Sequence, residues 1–164
     1  MLRWIQTAVY LPCMRVHRHM SRTEPWNYSE ETQQIFRKQI DLRYKLQPYI
    51  LECAKKVTEE NYTMMRPLVF DYPDDTEALK QQTEFMFGPS LLVCPVTEPG
   101  IKTMRVYLPG EGQDWVSFNA LVNASERGIM VKPYVYKGGT YVDVEVSKDC
   151  IPVFEKADHL IELK

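Results

Sequence analysis

The sequence predicts an α+β chain, with helices confined to its first third and an antiparallel β-sandwich made by the rest. Three observations carry this. Apolar residues recur at helical spacing up to about residue 60 and change to short runs rich in valine, tyrosine and phenylalanine after about residue 65. The later runs are bounded by turn-forming clusters: Pro73-Asp74-Asp75, Glu98-Pro99-Gly100, Pro109-Gly110-Glu111-Gly112 and Lys137-Gly138-Gly139. Helices followed by a block of strands point to two structural units, 1–65 and 66–164.

The elements follow in order. Residues 1–9 place Leu2, Ile5, Ala8 and Val9 on one helical face, and Pro12 stops the helix. An extended stretch is expected from Leu11 to His17, then a polar loop over 18–27. Asn27 with Glu30 reads as an N-cap and capping-box pair opening a helix over about 28–60, with the stripe Ile35, Ile40, Leu42, Leu46, Tyr49, Ile50, Cys53 and Val57. Pro48 is expected to kink that helix, and Asp41 to pair with Arg37 and Lys45 four residues away. Strands are expected at 68–72, 90–96, 103–108, 114–118, 128–135, 140–146, 151–154 and about 160–163, with a helical turn near 75–83. Gly138-Gly139 reads as a hairpin turn between its flanking strands.

Composition removes several functions. Twenty basic residues against twenty-two acidic ones give a net charge of −2, which supplies no field for a phosphate backbone, so no nucleic-acid partner is expected. No apolar run approaches the ~18 residues of a membrane span. The four cysteines, at 13, 53, 94 and 150, form no C-x-x-C pair and read as small buried hydrophobes, not as a zinc or redox site. Sequons at Asn27, Asn61 and Asn123 are of a kind that arises by chance too often to indicate secretion.

Several motifs then stand in a telling order. They are Leu2-Arg3-Trp4-Ile5-Gln6, Pro12-Cys13-Met14-Arg15-Val16-His17, Glu24-Pro25-Trp26, and Leu42-Arg43-Tyr44-Lys45-Leu46-Gln47-Pro48-Tyr49. After them come Met65-Arg66-Pro67-Leu68, Pro73-Asp74-Asp75, Phe85-Met86-Phe87-Gly88-Pro89, Leu91-Leu92-Val93-Cys94-Pro95-Val96, Val106-Tyr107-Leu108-Pro109 and Ile151-Pro152-Val153-Phe154. In order and spacing the chain resembles glycoside hydrolase family 31. It departs at Val146-Ser147-Lys148-Asp149-Cys150, where the family has A-P-L-D, and in the tail from Glu155.

The resemblance implies that residues 1–65 are the last helix, strand and helix of a (β/α)8 catalytic barrel, and that 66–164 form the sandwich behind it. Active-site residues of such barrels lie at the C-terminal ends of strands, where Arg15 and His17 fall, two apart and so on one face. By the resemblance His17 binds sugar hydroxyls of an α-glucoside or related oligosaccharide, and Arg15 orients nearby carboxylates. Trp26 admits two roles, a stacking platform for a sugar or a packing pin over the start of the long helix, the second being the simpler. Retaining hydrolysis takes two carboxyl groups ~5 Å apart. The family's two catalytic aspartates, after the fourth and sixth strands, would precede Met1, so the missing upstream barrel is the expected partner and the 164 residues alone are expected to be inert. The α-xylosidase and other family activities remain alternatives, as does a non-catalytic carbohydrate-binding or structural sandwich. No cofactor or metal is implied.

Overall fold

The computed structural model describes residues 1–17, 19–20 and 22–163. Helix α1 (Leu2–Ala8) buries Ile5 and Ala8, with Val9 just after it, as the spacing predicts; Leu2 is only half-buried, and the polar Gln6 is buried as well. Among the described residues, 11–17 run as bends and irregular backbone, and the expected strand is absent. No other strand lies alongside to complete a ladder, and the carbonyls of Val9, Leu11 and Pro12 accept instead from the Arg43 guanidinium. The polar loop expected over 18–27 includes two positions, 18 and 21, outside the described residues.

The long helix is two helices. Ser29, not Asn27, caps α2 (Glu30–Lys45) by accepting from the Thr32 amide, while Asn27 closes a 3-10 turn over Pro25–Asn27. One residue, Leu46 (φ −79, ψ −5), separates α2 from α3 (Gln47–Glu59). Pro48 therefore stands in the first turn of α3, where its missing N–H costs nothing. Its effect is a break where a kink was expected. The Asp41 pairs do not form either: Arg37 reaches Glu30 at 4.0 Å, and Lys45 crosses to Glu126 at 2.9 Å.

Among the described residues eight strands follow. Strands β1 (Met65–Pro67), β2 (Phe85–Phe87), β3 (Leu91–Val93), β5 (Asp114–Ser117), β6 (Val135–Lys137) and β8 (Val153–Lys156) form one antiparallel sheet in the order β1-β2-β3-β8-β5-β6. Strands β4 (Thr103–Leu108) and β7 (Thr140–Glu145) make a separate antiparallel pair, six residues in register from Thr103↔Glu145 to Leu108↔Thr140. Residues 68–70, expected in a strand, form a 3-10 turn, and residues 160–163 form none.

Two further corrections matter to the architecture. Gly138-Gly139 is no hairpin: β6 pairs with β5 and β7 with β4, so the two glycines carry the chain from one sheet to the other. The turn is crowded, since a Cβ on Gly138 would lie 2.1 Å from the Gly110 carbonyl oxygen. Second, helix α4 (Phe118–Glu126) occupies part of what was expected to be strand and loop, and residues 128–134 are irregular. Its signal was present: Ser117 accepts from the Ala120 amide as N-cap, and Phe118 and Val122, four apart, are both buried.

The large sheet is covered on both faces, which is why β2 and β3 read as unbroken apolar runs without alternation. On one face Phe85, Phe87, Leu91, Val93 and Val153 pack with Val9, Tyr10, Leu42, Leu46 and Cys53 of the helical part and Phe118 of α4. On the other face Met86, Leu92, Cys94 and Phe154 pack with Val106, Leu108 and Trp115. Cys53 and Cys94 are buried as expected, but Cys13 is exposed and Cys150 half-buried.

Candidate functional site

The segment carrying Arg15 and His17 is held from three sides. Behind it, Tyr10 is 1% exposed and its ring meets Phe87 and Phe118 edge-on, with centroids 6.3 and 6.5 Å away. This aromatic trio ties the end of α1 to the sheet and to α4. Beside it, Arg43 donates to the carbonyls of Val9 (2.7 Å), Leu11 (2.6 Å) and Pro12 (3.0 Å). From the helix, the Trp4 indole N–H donates to the carbonyl of Arg15 at 3.2 Å.

Arg3 and Gln6, the other polar members of the first motif, face away from this segment. Arg3 donates to Ser147 O (2.8 Å) and Cys150 O (3.1 Å), and Gln6 to Lys148 O (2.8 Å). Gln39 of α2 takes Asp149 O at 3.1 Å, and Lys148 pairs with Glu31. The loop that departs from the family pattern is thus gripped at residues 147–150 through backbone carbonyls and one surface ion pair, while Val146 at its start is anchored in the core.

Arg15 and His17 come together without the strand that was expected to align them. Their side chains are exposed and the Arg15 Nη2 lies 3.3 Å from His17 Nδ1. Among the described residues no carboxylate hydrogen-bonds or ion-pairs with either of them. Trp26, on the 3-10 turn, is 73% exposed and pins nothing. The packing role falls to its neighbour Tyr28, whose ring lies 5.6 Å from that of Phe36 on α2. Asn27 braces the turn by donating to Glu24 Oε2 at 2.7 Å.

Two acidic residues of the downstream motifs, Asp71 and Asp75, are committed elsewhere. Asp71 forms an ion pair with Arg66 at 2.8 Å. Asp75 accepts from the Tyr107 hydroxyl at 2.8 Å and from the amides of Glu77, Ala78 and Gly110 at 3.1 Å each. Burial works against its ionisation, but these hydrogen bonds outweigh burial and hold the carboxyl below its ordinary range. Two glutamates carry no sequence signal of what the fold does with them. Glu84 (6% exposed) and Glu155 (0%) each keep one oxygen without a partner, and burial pushes both up to about 7. The amide of Tyr107 donates to Glu84 and that of Ile161 to Glu155. Their apolar flanks disguised them: Glu84 precedes Phe85-Met86-Phe87, and Glu155 ends Pro152-Val153-Phe154. Among the described residues no group of three or more His, Cys, Asp or Glu is arranged to hold a metal ion.

Comparison with known proteins gives this geometry its context. Residues 1–53 match the glycosyl hydrolases family 31 TIM-barrel domain, and residues 61–161 match the glycosyl hydrolase family 31 C-terminal domain. The chain belongs to glycosyl hydrolase family 31. An alpha-xylosidase of Saccharolobus solfataricus is 37% identical over 162 residues, taking in 99% of this chain and 20% of that protein. A probable glucan 1,3-alpha-glucosidase of Oryza sativa subsp. japonica is 36% identical over 166 residues, 100% of this chain and 17% of that protein. Among solved structures, a family 31 alpha-xylosidase from a soil metagenome, complexed with xylose, superposes with a TM-score of 0.81 at 30% identity, over 96% of this chain and 24% of that one. A family 31 dextranase from Flavobacterium johnsoniae, complexed with glucose, also gives 0.81, at 36% identity over 94% of this chain and 18% of that one. The chain spans 20% or less of the length of these two curated relatives.

Proposed function

We propose that these residues are the C-terminal part of a retaining, exo-acting α-glucosidase, with residues 1–65 closing its (β/α)8 barrel and residues 66–164 forming the β-sandwich that braces it. In this reading His17 hydrogen-bonds hydroxyls of the bound sugar, Arg15 orients a carboxylate of the catalytic centre, and Trp26 offers a ring face to the sugar beyond. The observation that carries it is the exposed Arg15–His17 pair, a cation and an imidazole 3.3 Å apart with no carboxylate bonded to them among the described residues. Such a pair is complementary to an acidic centre supplied by another segment. The nucleophile and acid/base would come from there, since Asp71 and Asp75 are spent on structural partners.

An α-xylosidase is the second reading, favoured by the 37% identity to the Saccharolobus solfataricus enzyme. The test uses aryl α-glucoside and aryl α-xyloside with both the 164-residue chain and the full-length protein that carries it. The short chain should release no p-nitrophenol, and the full-length protein should release it from the glucoside with the α-anomer of glucose as first product. Turnover by the short chain overturns the assignment of its carboxylates. Preference for the xyloside selects the second reading, and inactivity on both removes the α-glucosidase and the α-xylosidase alike.

A further inference from the structure

We infer that Arg43 is a positioning residue for the substrate-facing pair, acting on Arg15 and His17 through the backbone that leads to them. The inference rests on the proposed sugar-facing role of that pair. Three carbonyls in four successive residues, Val9, Leu11 and Pro12, point at one guanidinium that lies 31 to 34 residues further along the chain. Among the described residues no other donor reaches these three oxygens. Arg43 is half-buried on α2, the turn before Leu46, and Leu42 and Leu46 on either side are anchored in the core.

The geometry suits arginine alone. A planar guanidinium presents its N–H groups in a fixed fork and can serve several acceptors at once. A lysine ammonium at the same site would reach fewer, and from a different height. Residues 11–17 have no ladder of their own, so the polar hold on their start comes from Arg43. The remaining holds are Tyr10 before the segment, the side chains of Leu11 and Met14 packed partly buried against the core, and the Trp4 bond to the Arg15 carbonyl. Release of the three carbonyls would let Arg15 and His17 drift by an ångström or so, and displacements of that size cost a catalytic site up to about a hundredfold.

Two measurements test this, and they fail independently of each other. In the 164-residue chain, Arg43→Ala should shift and broaden the imidazole NMR signals of His17, assigned by loss in His17→Asn, while Arg3→Ala should leave them in place although it frees the carbonyls of Ser147 and Cys150. In the full-length protein, Arg43→Ala should lower kcat/KM on the aryl glycoside between tenfold and about a hundredfold. Millimolar guanidinium should restore part of that loss, and Arg43→Lys should retain an intermediate rate. Arg3→Ala, with a comparable loss of stability, should keep kcat/KM within about twofold. Unmoved His17 signals, or equal kinetic losses in the Arg43 and Arg3 variants without rescue, overturn the positioning role. An inactive wild-type full-length protein would refute the proposed hydrolase and leave the NMR comparison to decide the placement.

Discussion

Replacing Glu155 by glutamine should flatten the pH dependence of the chain's stability. The carboxyl stands on β8 opposite Leu91 and Val116, fully buried, with one oxygen bonded to the Ile161 amide and the other bonded to nothing. Burial raises it from 4.5 to about 7, and the Ile161 bond opposes the rise only in part. A group raised in the folded state contributes stability that is complete below its unfolded value and is lost as pH climbs through the folded one. The window is therefore from about pH 4.5 to about pH 7, with a flat region above it. Each tenfold change in proton affinity is worth roughly 1.4 kcal/mol, so the loss across that window is about 2–3 kcal/mol. Glutamine keeps an acceptor for Ile161 but leaves an amide N–H pair buried, a constant cost of about 1–3 kcal/mol. The absolute stability of Glu155→Gln is thus a poor readout, whereas its slope is a clean one. Urea unfolding at half-unit steps from pH 4.5 to 8 should give curves for the two proteins that converge by about 2–3 kcal/mol as pH rises. Glu84 contributes equally to both and cancels. Parallel curves would mean that Glu155 is already ionised in the fold at pH 5, and the burial argument would be refuted.

Two other perturbations bear on the turn and the acid hub. Gly138→Ala should cost more than about 3 kcal/mol, because the new Cβ meets backbone oxygens of Gly110, Gln113 and Pro109 at 2.1, 2.8 and 2.8 Å. Gly100→Ala, at φ +78 with nothing within 4 Å, should cost only the ~1–2 kcal/mol of a left-handed backbone. Thermal unfolding of the two variants side by side checks the difference, and equal losses would show that the turn yields. Asp75→Asn should weaken the bonds from Tyr107, Gly110, Glu77 and Ala78 and lower stability at neutral pH by about 1–3 kcal/mol. Because the Asp75 carboxyl is held low, its contribution is present above 3.8 and lost as pH falls through the folded value, so the variant should lose less on acidification from pH 5 to 2 than the wild type. Identical acid limbs would contradict this.

Strand β4 was legible to the residue, because an apolar run is bounded on both sides by turn-forming clusters, Glu98-Pro99-Gly100 and Pro109-Gly110. The Gly138-Gly139 turn misled for a physical reason. Local sequence encodes the sharp reversal, while the choice between β5 and β7 as partner of β6 is made by packing from residues far away. Pro48 was expected to kink a continuous helix, but it stands in the first turn of a second helix, and the break falls at Leu46 before it. At the candidate site, Arg15 and His17 are proposed on motif order, and neither the missing ladder nor the grip of Arg43 has any signature within residues 11–17. Glu84 and Glu155 were invisible because a charge in a β-rich run ordinarily marks the wet face, and here both faces of the sheet are dry.

The position of β8 between β3 and β5 has a consequence for how the chain comes into being on the ribosome. The strand that joins the two halves of the sheet lies at residues 153–156, so β1-β2-β3 and β5-β6 stay separate pieces, each with an open edge, until residue 156 has been synthesised. During that wait the unpaired edges of β3 and β5 are the places where a foreign strand can enter. Insertion of a single four-residue strand then closes both edges at once, a zipper fastened from its middle.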